Sequence, residues 1–172
     1  MVKGRGVMRI AGIVRDSIVD GVGVRDVIFF QGCMHHCEGC HNPHTWNMKQ
    51  GEPVLVSDIM EMLEASTNDV TISGGEPLLQ LEDLLNLVRG LREFNGKHIW
   101  LYTGFTFEEI PFFIWEILSK YIDVVVDGKF VKDLADTNLQ FRGSSNQRII
   151  DLKKTVIEQK IIEWEDSYGK EE

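Results

Sequence analysis

The chain has 172 residues, the length of one ordinary domain, and its 43% apolar and 26% charged residues are typical of a globular protein. Its formal net charge of −9 argues against nucleic-acid binding, because neutralising phosphates requires a basic surface. No apolar run approaches the roughly 18 residues of a membrane span, and the basic start MVKGRGVMRI lacks the apolar stretch of a signal peptide. We therefore expect one cytoplasmic domain over residues 1–172, with no membrane or nucleic-acid partner.

Four segments rich in β-branched and aromatic residues predict strands. In chain order they are residues 25–31 (RDVIFFQ), 70–73 (VTIS), 98–102 (HIWLY) and 121–126 (YIDVVV). The acidic tail, from about residue 157 to the end, is expected to be frayed and solvated, although Trp164 and Tyr168 could dock on the rest of the domain.

Helical patterns lie between these strands. Ser57 predicts the N-cap of a first helix. The apolar face of that helix is formed by Ile59, Met62 and Leu63. Leucine and valine at helical spacing predict a second helix over residues 81–91. Thr106 and Glu109 form a capping box for a third helix, which Pro111 bends or delays.

The alternation of strands and helices predicts parallel β-α-β units. We expect an α/β fold whose parallel strands form a shortened, incomplete (β/α) barrel. In such folds ligands bind at the carboxyl ends of the strands. Four segments directly follow a predicted strand: the cysteine segment, Gly74-Gly75, Thr103-Gly104 and Asp127-Gly128. This placement predicts that they form one site.

All three cysteines fall in one short stretch, as Cys33, Cys37 and Cys40. A structural zinc site would add His41 or His44 as fourth ligand, but such sites usually draw their ligands from two separate pairs. A catalytic thiol needs one cysteine and a base, fewer thiols than are present. An iron–sulfur cluster suits clustered thiolates, and with three of them one iron is open to a substrate. We favour iron, with zinc and thiol chemistry as the alternatives.

The cysteine spacing Cys-x₃-Cys-x₂-Cys follows one predicted strand, and SGGEP at residues 73–77 follows the next. Together these motifs resemble the radical S-adenosylmethionine superfamily. Over residues 9–152 the chain is also similar to that superfamily's anaerobic ribonucleotide reductase activating proteins. The segments that carry this likeness are GCHNPHTW (39–46), YTGF (102–105), VDGKF (126–130) and FRGSSNQRI (141–149).

The resemblance implies one 4Fe–4S cluster whose ligands, and catalytic residues, are Cys33, Cys37 and Cys40. The fourth iron would bind S-adenosylmethionine, and reductive cleavage would give methionine and a 5′-deoxyadenosyl radical. That radical would take a hydrogen atom from a glycine of an anaerobic ribonucleoside-triphosphate reductase and leave a glycyl radical. A reduced flavodoxin or ferredoxin is the implied electron donor. The short barrel would leave a wide opening for this protein substrate.

Further residues are expected to bind S-adenosylmethionine. They are Gly39, Cys40, His41, Gly74, Gly75, Glu76, Pro77, Asp127 and Lys129. The glycine pair lacks Cβ atoms, so its backbone can approach the methionine end, and Glu76 can accept hydrogen bonds from the ammonium group. The resemblance implies that His41 stacks on the adenine and that Asp127 and Lys129 lie beside the nucleoside.

Four more residues lie in the motifs without an assigned role. His35 and His36 stand between cluster ligands and are expected to be partly exposed beside the cluster. Arg142 and Arg148 are expected to face the acidic strand ends or the protein partner, with an exposed charged loop as the alternative.

Three other functions stay open. The chain could activate another glycyl radical enzyme such as a formate lyase, although those activators are longer. It could be a small-molecule radical S-adenosylmethionine synthase, such as a deazaguanine-forming enzyme, although the FRGSSNQRI segment argues against this. A zinc-stabilised βαβ binding module would be colourless and would make no use of S-adenosylmethionine.

Overall fold

The structure is a computed structural model and describes residues 6–166 of the chain. The strands are β1 Val7–Ser17, β2 Arg25–Phe30, β3 Glu52–Leu55, β4 Asp69–Gly74, β5 Ile99–Tyr102, β6 Val124–Asp127 and β7 Arg148–Asp151. The helices are α1 Val56–Glu64, α2 Leu81–Asn95, α3 Phe112–Leu118 and α4 Leu152–Glu158. Across residues 6–166, no helix has both the length and the apolar character needed to cross a membrane.

The seven strands form one mixed sheet in the order β3-β1-β2-β4-β5-β6-β7. Strands β2, β4, β5 and β6 run parallel, and these are the four strands that the sequence predicts. Strands β1, β3 and β7 pair antiparallel at the two sides. The prediction of an α/β fold with parallel β-α-β units is therefore confirmed. Among the described strands β3 and β7 are the two edges, and no ladder joins them.

The central strands are buried on both faces, as expected for parallel strands covered on two sides. One face packs against the helices in the larger apolar cluster, which includes Leu101, Trp115 and Val125. The other face carries a smaller cluster built on Trp100, Val124 and Val126. Successive residues such as Trp100 and Leu101 enter opposite clusters because side chains alternate along a strand.

The first helix begins earlier than the sequence indicates. Helix α1 starts at Val56, its N-cap is Leu55, and no side chain caps it, so the prediction that Ser57 is the N-cap is wrong. The Ser57 hydroxyl instead donates to the neighbouring Asp58. Ile59 is buried as predicted, but Met62 is 50% exposed, so it does not belong to the buried face.

The predicted capping box at Thr106 and Glu109 is present, with reciprocal side-chain and backbone hydrogen bonds. It caps a short 3₁₀ turn, Phe107–Glu109, and helix α3 begins only after Pro111. The proline thus delays the helix, as the sequence suggests, because its ring excludes the hydrogen bond that would continue the turn.

The acidic tail is ordered as far as the structure describes it. Beyond helix α4, the backbone N–H of Trp164 donates to the carbonyl of Ile149 at 2.8 Å, and Glu163 forms a bridge with Ile150 of β7. The expectation of a frayed end from about residue 157 is therefore wrong up to this point. Trp164 docks on the smaller cluster, whereas Tyr168 lies outside the described residues.

Candidate functional site

A cavity of about 380 Å³ opens at the carboxyl ends of the parallel strands. It brings together every loop that the sequence places after a predicted strand. Its lining includes Cys33, His35, Cys37, Cys40, His41, Gly74, Gly75, Thr103, Gly104, Gly128 and Lys129. Three thiols, glycines and cationic side chains therefore line one cavity.

The cysteine loop is held to the segment that follows it. The N–H of Gly32 donates to the carbonyl of Thr45 at 2.6 Å, and the N–H of Cys33 donates to the carbonyl of Trp46 at 3.1 Å. Both acceptors lie at the end of a 3₁₀ turn that starts at Pro43. These backbone bonds fix where the loop leaves strand β2, because buried backbone groups must be paired.

The three thiols are all half-buried. Burial raises the pKa of the Cys33 thiol, and the nearby charges of Glu76 and Cys37 raise it further, while backbone hydrogen bonds at His35 and His36 act in the opposite direction. The thiol of Cys33 therefore stays protonated unless a positive group stabilises the thiolate. Metal binding supplies such a charge and releases the proton.

Within residues 6–166 no three His, Cys, Asp or Glu side chains converge closely enough to hold a single metal ion. Cys33, Cys37 and Cys40 all line one cavity. Clustered thiolates of this kind are the usual ligands of iron–sulfur clusters.

The glycine pair of the SGGEP segment lies on the cavity wall, but a second requirement also explains why both residues are glycine. A Cβ atom at Gly74 would lie 2.3 Å from the backbone nitrogen of Phe30, and one at Gly75 would lie 2.2 Å from the carbonyl oxygen of Gly32. These contacts are with the end of β2 and the start of the cysteine loop. The missing Cβ atoms therefore allow β4 and the cysteine loop to approach closely, in addition to leaving space for a ligand.

Glu76 is fully buried and has four protein partners. Its carboxylate accepts hydrogen bonds from His35 Nε2 (2.8 Å), Thr103 Oγ1 (2.9 Å), the Gly104 N–H (2.8 Å) and the Leu78 N–H (3.1 Å). The role assigned to Glu76 from the sequence, a contact with the cofactor ammonium group, stays a prediction.

Asp127 is also saturated by protein donors. Its carboxylate accepts from the N–H of Phe107 at 2.7 Å and from the guanidinium of Arg148 at 2.5 and 3.0 Å. Arg148 also donates to Glu108 at 2.8 Å and so faces acidic groups, in agreement with one of the expectations. Lys129, two residues beyond Asp127, is exposed and lines the cavity.

The remaining predicted residues support the cavity in different ways. Gly39 turns the chain with a φ of +75°, and His41 lies beside Phe130 with 5.2 Å between ring centroids. Pro77 is buried and begins a 3₁₀ turn, Pro77–Gln80. Arg142 lines the cavity and donates to the carbonyl of Gln147 at 2.6 Å.

Other lining residues have no role assigned to them from the sequence. They are Val19, Asp20, Tyr102, Phe130, Leu139, Phe141 and Gln147, among others. Burial raises the pKa of Tyr102, whose hydroxyl donates to the carbonyl of Phe141 at 2.6 Å. The motifs YTGF, VDGKF and FRGSSNQRI contain four of these residues, but only the fold shows that they meet the turn before β2.

Comparison with known proteins assigns the chain to a family. A family model described as a 4Fe-4S single cluster domain matches residues 19–150. The anaerobic ribonucleoside-triphosphate reductase-activating protein of Escherichia coli K12 is 38% identical over 147 residues, 80% of this chain and 94% of that protein. The protein of the same name from Enterobacteria phage T4 is 41% identical over 140 residues, 77% of this chain and 87% of that protein. This chain belongs to the anaerobic ribonucleoside-triphosphate reductase-activating protein family.

The crystal structure of QueE from Escherichia coli has a similar fold, with a TM-score of 0.51 and 24% identity. The likeness covers 59% of this chain and 54% of QueE. This likeness supports the α/β architecture of the chain.

The donor set of this chain fits an iron–sulfur cluster. Three thiols, Lys129 and residues of glycine-rich loops line one cavity. Clustered thiolates are the usual ligands of such clusters, and an arrangement of three leaves one iron for another ligand. The family assignment and the donor set therefore agree.

Proposed function

We propose that this chain is the activating enzyme of an anaerobic ribonucleoside-triphosphate reductase. A bound 4Fe–4S cluster would supply the electron for reductive cleavage of S-adenosylmethionine to a 5′-deoxyadenosyl radical. That radical would take a hydrogen atom from a reductase glycine and leave a glycyl radical. The single observation that carries the proposal is the shared cavity of Cys33, Cys37 and Cys40 in a chain of this family.

In this proposal the three thiolates hold the cluster. The same cavity is lined by Lys129 and Arg142, two cations proposed to pair with the carboxylate of S-adenosylmethionine. Gly74 and Gly75 also line it, and their backbone is proposed to hydrogen-bond the methionine end. Gly39 and His41 lie on either side of the third cysteine, Cys40. The exposed His41 ring is the group proposed to stack on the adenine.

The cavity is open to solvent, and a protein substrate is proposed to enter through this opening. Val19, 70% exposed on the turn between β1 and β2, and Leu139 on the loop after β6 both line it. A partner covering this opening would exclude water from the reaction. The sheet is proposed to curve as an incomplete barrel, which leaves this opening uncovered.

We propose a reduced flavodoxin or ferredoxin as electron donor, because the reaction consumes one electron that the chain itself does not hold. A cytoplasmic location is proposed as well, since clustered thiols without disulfide partners are typical of a reducing compartment. The described strands share one sheet, which supports the proposal that the chain works as one domain.

The test begins with anaerobic purification and assays of iron, zinc and sulfide. The reconstituted protein is then reduced with dithionite in the presence of S-adenosylmethionine, and 5′-deoxyadenosine is measured by chromatography. We expect iron and sulfide at about four of each per chain and release of 5′-deoxyadenosine. Addition of an anaerobic reductase should then produce a glycyl radical detectable by electron paramagnetic resonance.

The control is Cys37→Ala, which removes one cluster ligand and should abolish both iron retention and cleavage. A colourless protein with one zinc, and no cleavage after iron reconstitution, would refute the proposal in favour of a zinc-stabilised binding module. Cleavage without a glycyl radical on the ribonucleotide reductase, but with one on another glycyl radical enzyme, would reassign the partner.

A further inference from the structure

We propose that Glu76 is a positioning residue that holds the cysteine loop in place through His35. The sequence expectation gives Glu76 a direct contact with S-adenosylmethionine; the contacts in the structure assign it a different task. This inference deepens the proposed function, because it concerns how the same site is kept in shape for a cluster and its ligand.

His35 lies between two of the three cysteines and points inward. Its side chain is only 5% exposed, although its neighbours Met34 and His36 are exposed. Its Nε2 donates to Glu76 at 2.8 Å, and its ring packs edge-on against Phe105 with 4.6 Å between centroids. The cysteine loop is thus attached at its middle to the two loops that follow β4 and β5.

The fit around the His35 ring is close. A Cβ atom at Gly104 would lie 2.4 Å from His35 Cδ2, so only glycine at this position leaves room for the imidazole. The N–H of Gly104 donates to the same carboxylate oxygen that accepts from His35. Glu76 therefore joins the cysteine loop and the β5 loop through one oxygen atom.

The backbone of the cysteine loop needs such an anchor. His36 has a φ of +48°, in the left-handed region that costs a non-glycine residue about 1–2 kcal/mol. A strained conformation persists only where surrounding contacts determine it. His35 is fixed to Glu76 on one side, and the His36 ring packs against Trp46 on the other, 4.8 Å between centroids. Together these contacts set the direction in which Cys33 and Cys37 face.

Because Glu76 is buried, its role in holding the cysteine loop can be distinguished from a direct contact with a ligand in the cavity. Its carboxylate has no exposed surface and is not part of the cavity wall, whereas His35, Thr103 and Gly104 are. A ligand in the cavity would therefore meet the donors of this carboxylate rather than the carboxylate itself. Loss of Glu76 should act first on the cysteine loop, and this effect should be measurable without S-adenosylmethionine.

The experiment measures the rate at which an iron chelator removes iron from the anaerobically reconstituted full-length protein, without S-adenosylmethionine. His35→Ala and Glu76→Gln are each expected to speed iron loss by about tenfold, the size expected for one hydrogen bond to a charged acceptor. The double variant should be about as fast as either single variant, because both remove the same link. His35→Gln, whose amide N–H can take the place of Nε2, should stay within about twofold of the wild type.

The matched control for the loss of a carboxylate is Glu116→Gln, an exposed position on helix α3, which should release iron at the wild-type rate. The electron paramagnetic resonance spectrum of the reduced cluster gives a second readout. Its g-values should shift in His35→Ala and Glu76→Gln but not in Glu116→Gln, whereas a purely global loss of stability would lower the signal without moving it.

Two outcomes would overturn the inference. One is wild-type iron release in His35→Ala. The other is a Glu76→Gln variant that holds iron normally and weakens S-adenosylmethionine binding equally with His35 present or absent, as a direct ligand would. If Glu76→Gln does not fold, the comparison of His35→Ala with His35→Gln decides the question. Failure of the wild type to hold any iron–sulfur cluster would instead refute the proposed function.

Discussion

The indole rings of Trp100 and Trp164 meet edge to face, with 5.1 Å between their centroids. Trp100 belongs to the central strand β5 and is fully buried, while Trp164 comes from the segment after the last helix. The chain end therefore covers the face of the sheet opposite the helices. Aromatic pairs in this geometry contribute beyond the area that they bury.

We expect Trp164→Ala to lower the free energy of unfolding by about 3 kcal/mol, because it removes a large ring from the smaller cluster. The near-ultraviolet circular dichroism of the Trp100–Trp164 pair should be lost with it. Urea unfolding of the variant and of Phe94→Ala measures the effect. Phe94 is 70% exposed, so that control should change stability by at most about 0.5 kcal/mol. Equal stabilities for both variants would contradict the packing described.

Local sequence signals predict the four parallel strands well, because most of their buried residues are β-branched or aromatic. The antiparallel strands β1, β3 and β7 escape prediction. They lie toward the sides of the sheet, where residues such as Arg9 and Glu52 make the composition resemble that of a loop. Ser57 resembles an N-cap in the sequence because it lies within the first turn of helix α1.

The site shows the same division between local and long-range information. The spacing of the cysteines and the positions of loops after strands are local, and they predict which loops meet. The partners of Glu76 are not local: Thr103 is 27 residues away and His35 is 41 residues away in the chain. No spacing rule links these residues, so only the folded structure shows that the carboxylate is saturated.

The ion pair between Arg148 and Asp127 should be important for stability. Asp127 is 1% exposed, so Arg148→Met leaves a buried carboxylate without its cation, at a cost of about 3 kcal/mol. Hydrogen bonding from Arg148 also holds the pKa of Glu108 below its usual range. The comparison is Lys154→Met, which breaks an exposed pair with Asp151 and should cost at most about 1 kcal/mol. Chemical unfolding at pH 7 measures both losses of stability. Similar losses would show that the buried pair contributes no more to stability than the exposed pair.

The carboxylate of Asp123 should make the free energy of unfolding depend on pH in the acidic range. Burial by itself raises the pKa of Asp123, but hydrogen bonds from Lys153 at 2.6 Å and from the Ile99 N–H at 2.8 Å, with the charges of His98 and Arg92, leave it below its usual value. The unfolded state then binds the proton more readily, so this stabilisation is present above the unfolded pKa of about 3.9 and is lost as pH falls through the folded value.

The corresponding prediction concerns Asp123→Asn. Urea unfolding of the cluster-free chain should show a loss of about 2 kcal/mol at pH 6, the size of hydrogen bonds to a charged acceptor. At pH 3 and below the difference from the wild type should shrink. Asp133→Asn, at an exposed position, serves as control. A difference that stays constant from pH 6 to pH 2 would show that the charge of Asp123 is not the cause.

The last prediction concerns the close approach of β4 to β2. Alanine substitutions at two glycines distinguish the cost of a steric clash from the cost of backbone strain. Gly74 and Gly23 both have positive φ, +108° and +77°. A Cβ atom at Gly23 meets nothing within 4 Å, whereas one at Gly74 would lie 2.3 Å and 2.4 Å from the backbone N and O of Phe30. Gly23→Ala should therefore cost about 1 kcal/mol from strain alone.

Gly74→Ala should cost about 4 kcal/mol or more, because backbone atoms of β2 cannot move aside without separating two paired strands. Strand β2 leads directly into the cysteine loop, so this variant should also retain less iron after reconstitution, while Gly23→Ala retains the wild-type amount. Unfolding curves and iron assays on both variants measure the two effects. If both alanines cost the same, backbone strain and not the close approach of the strands would explain the glycine at position 74.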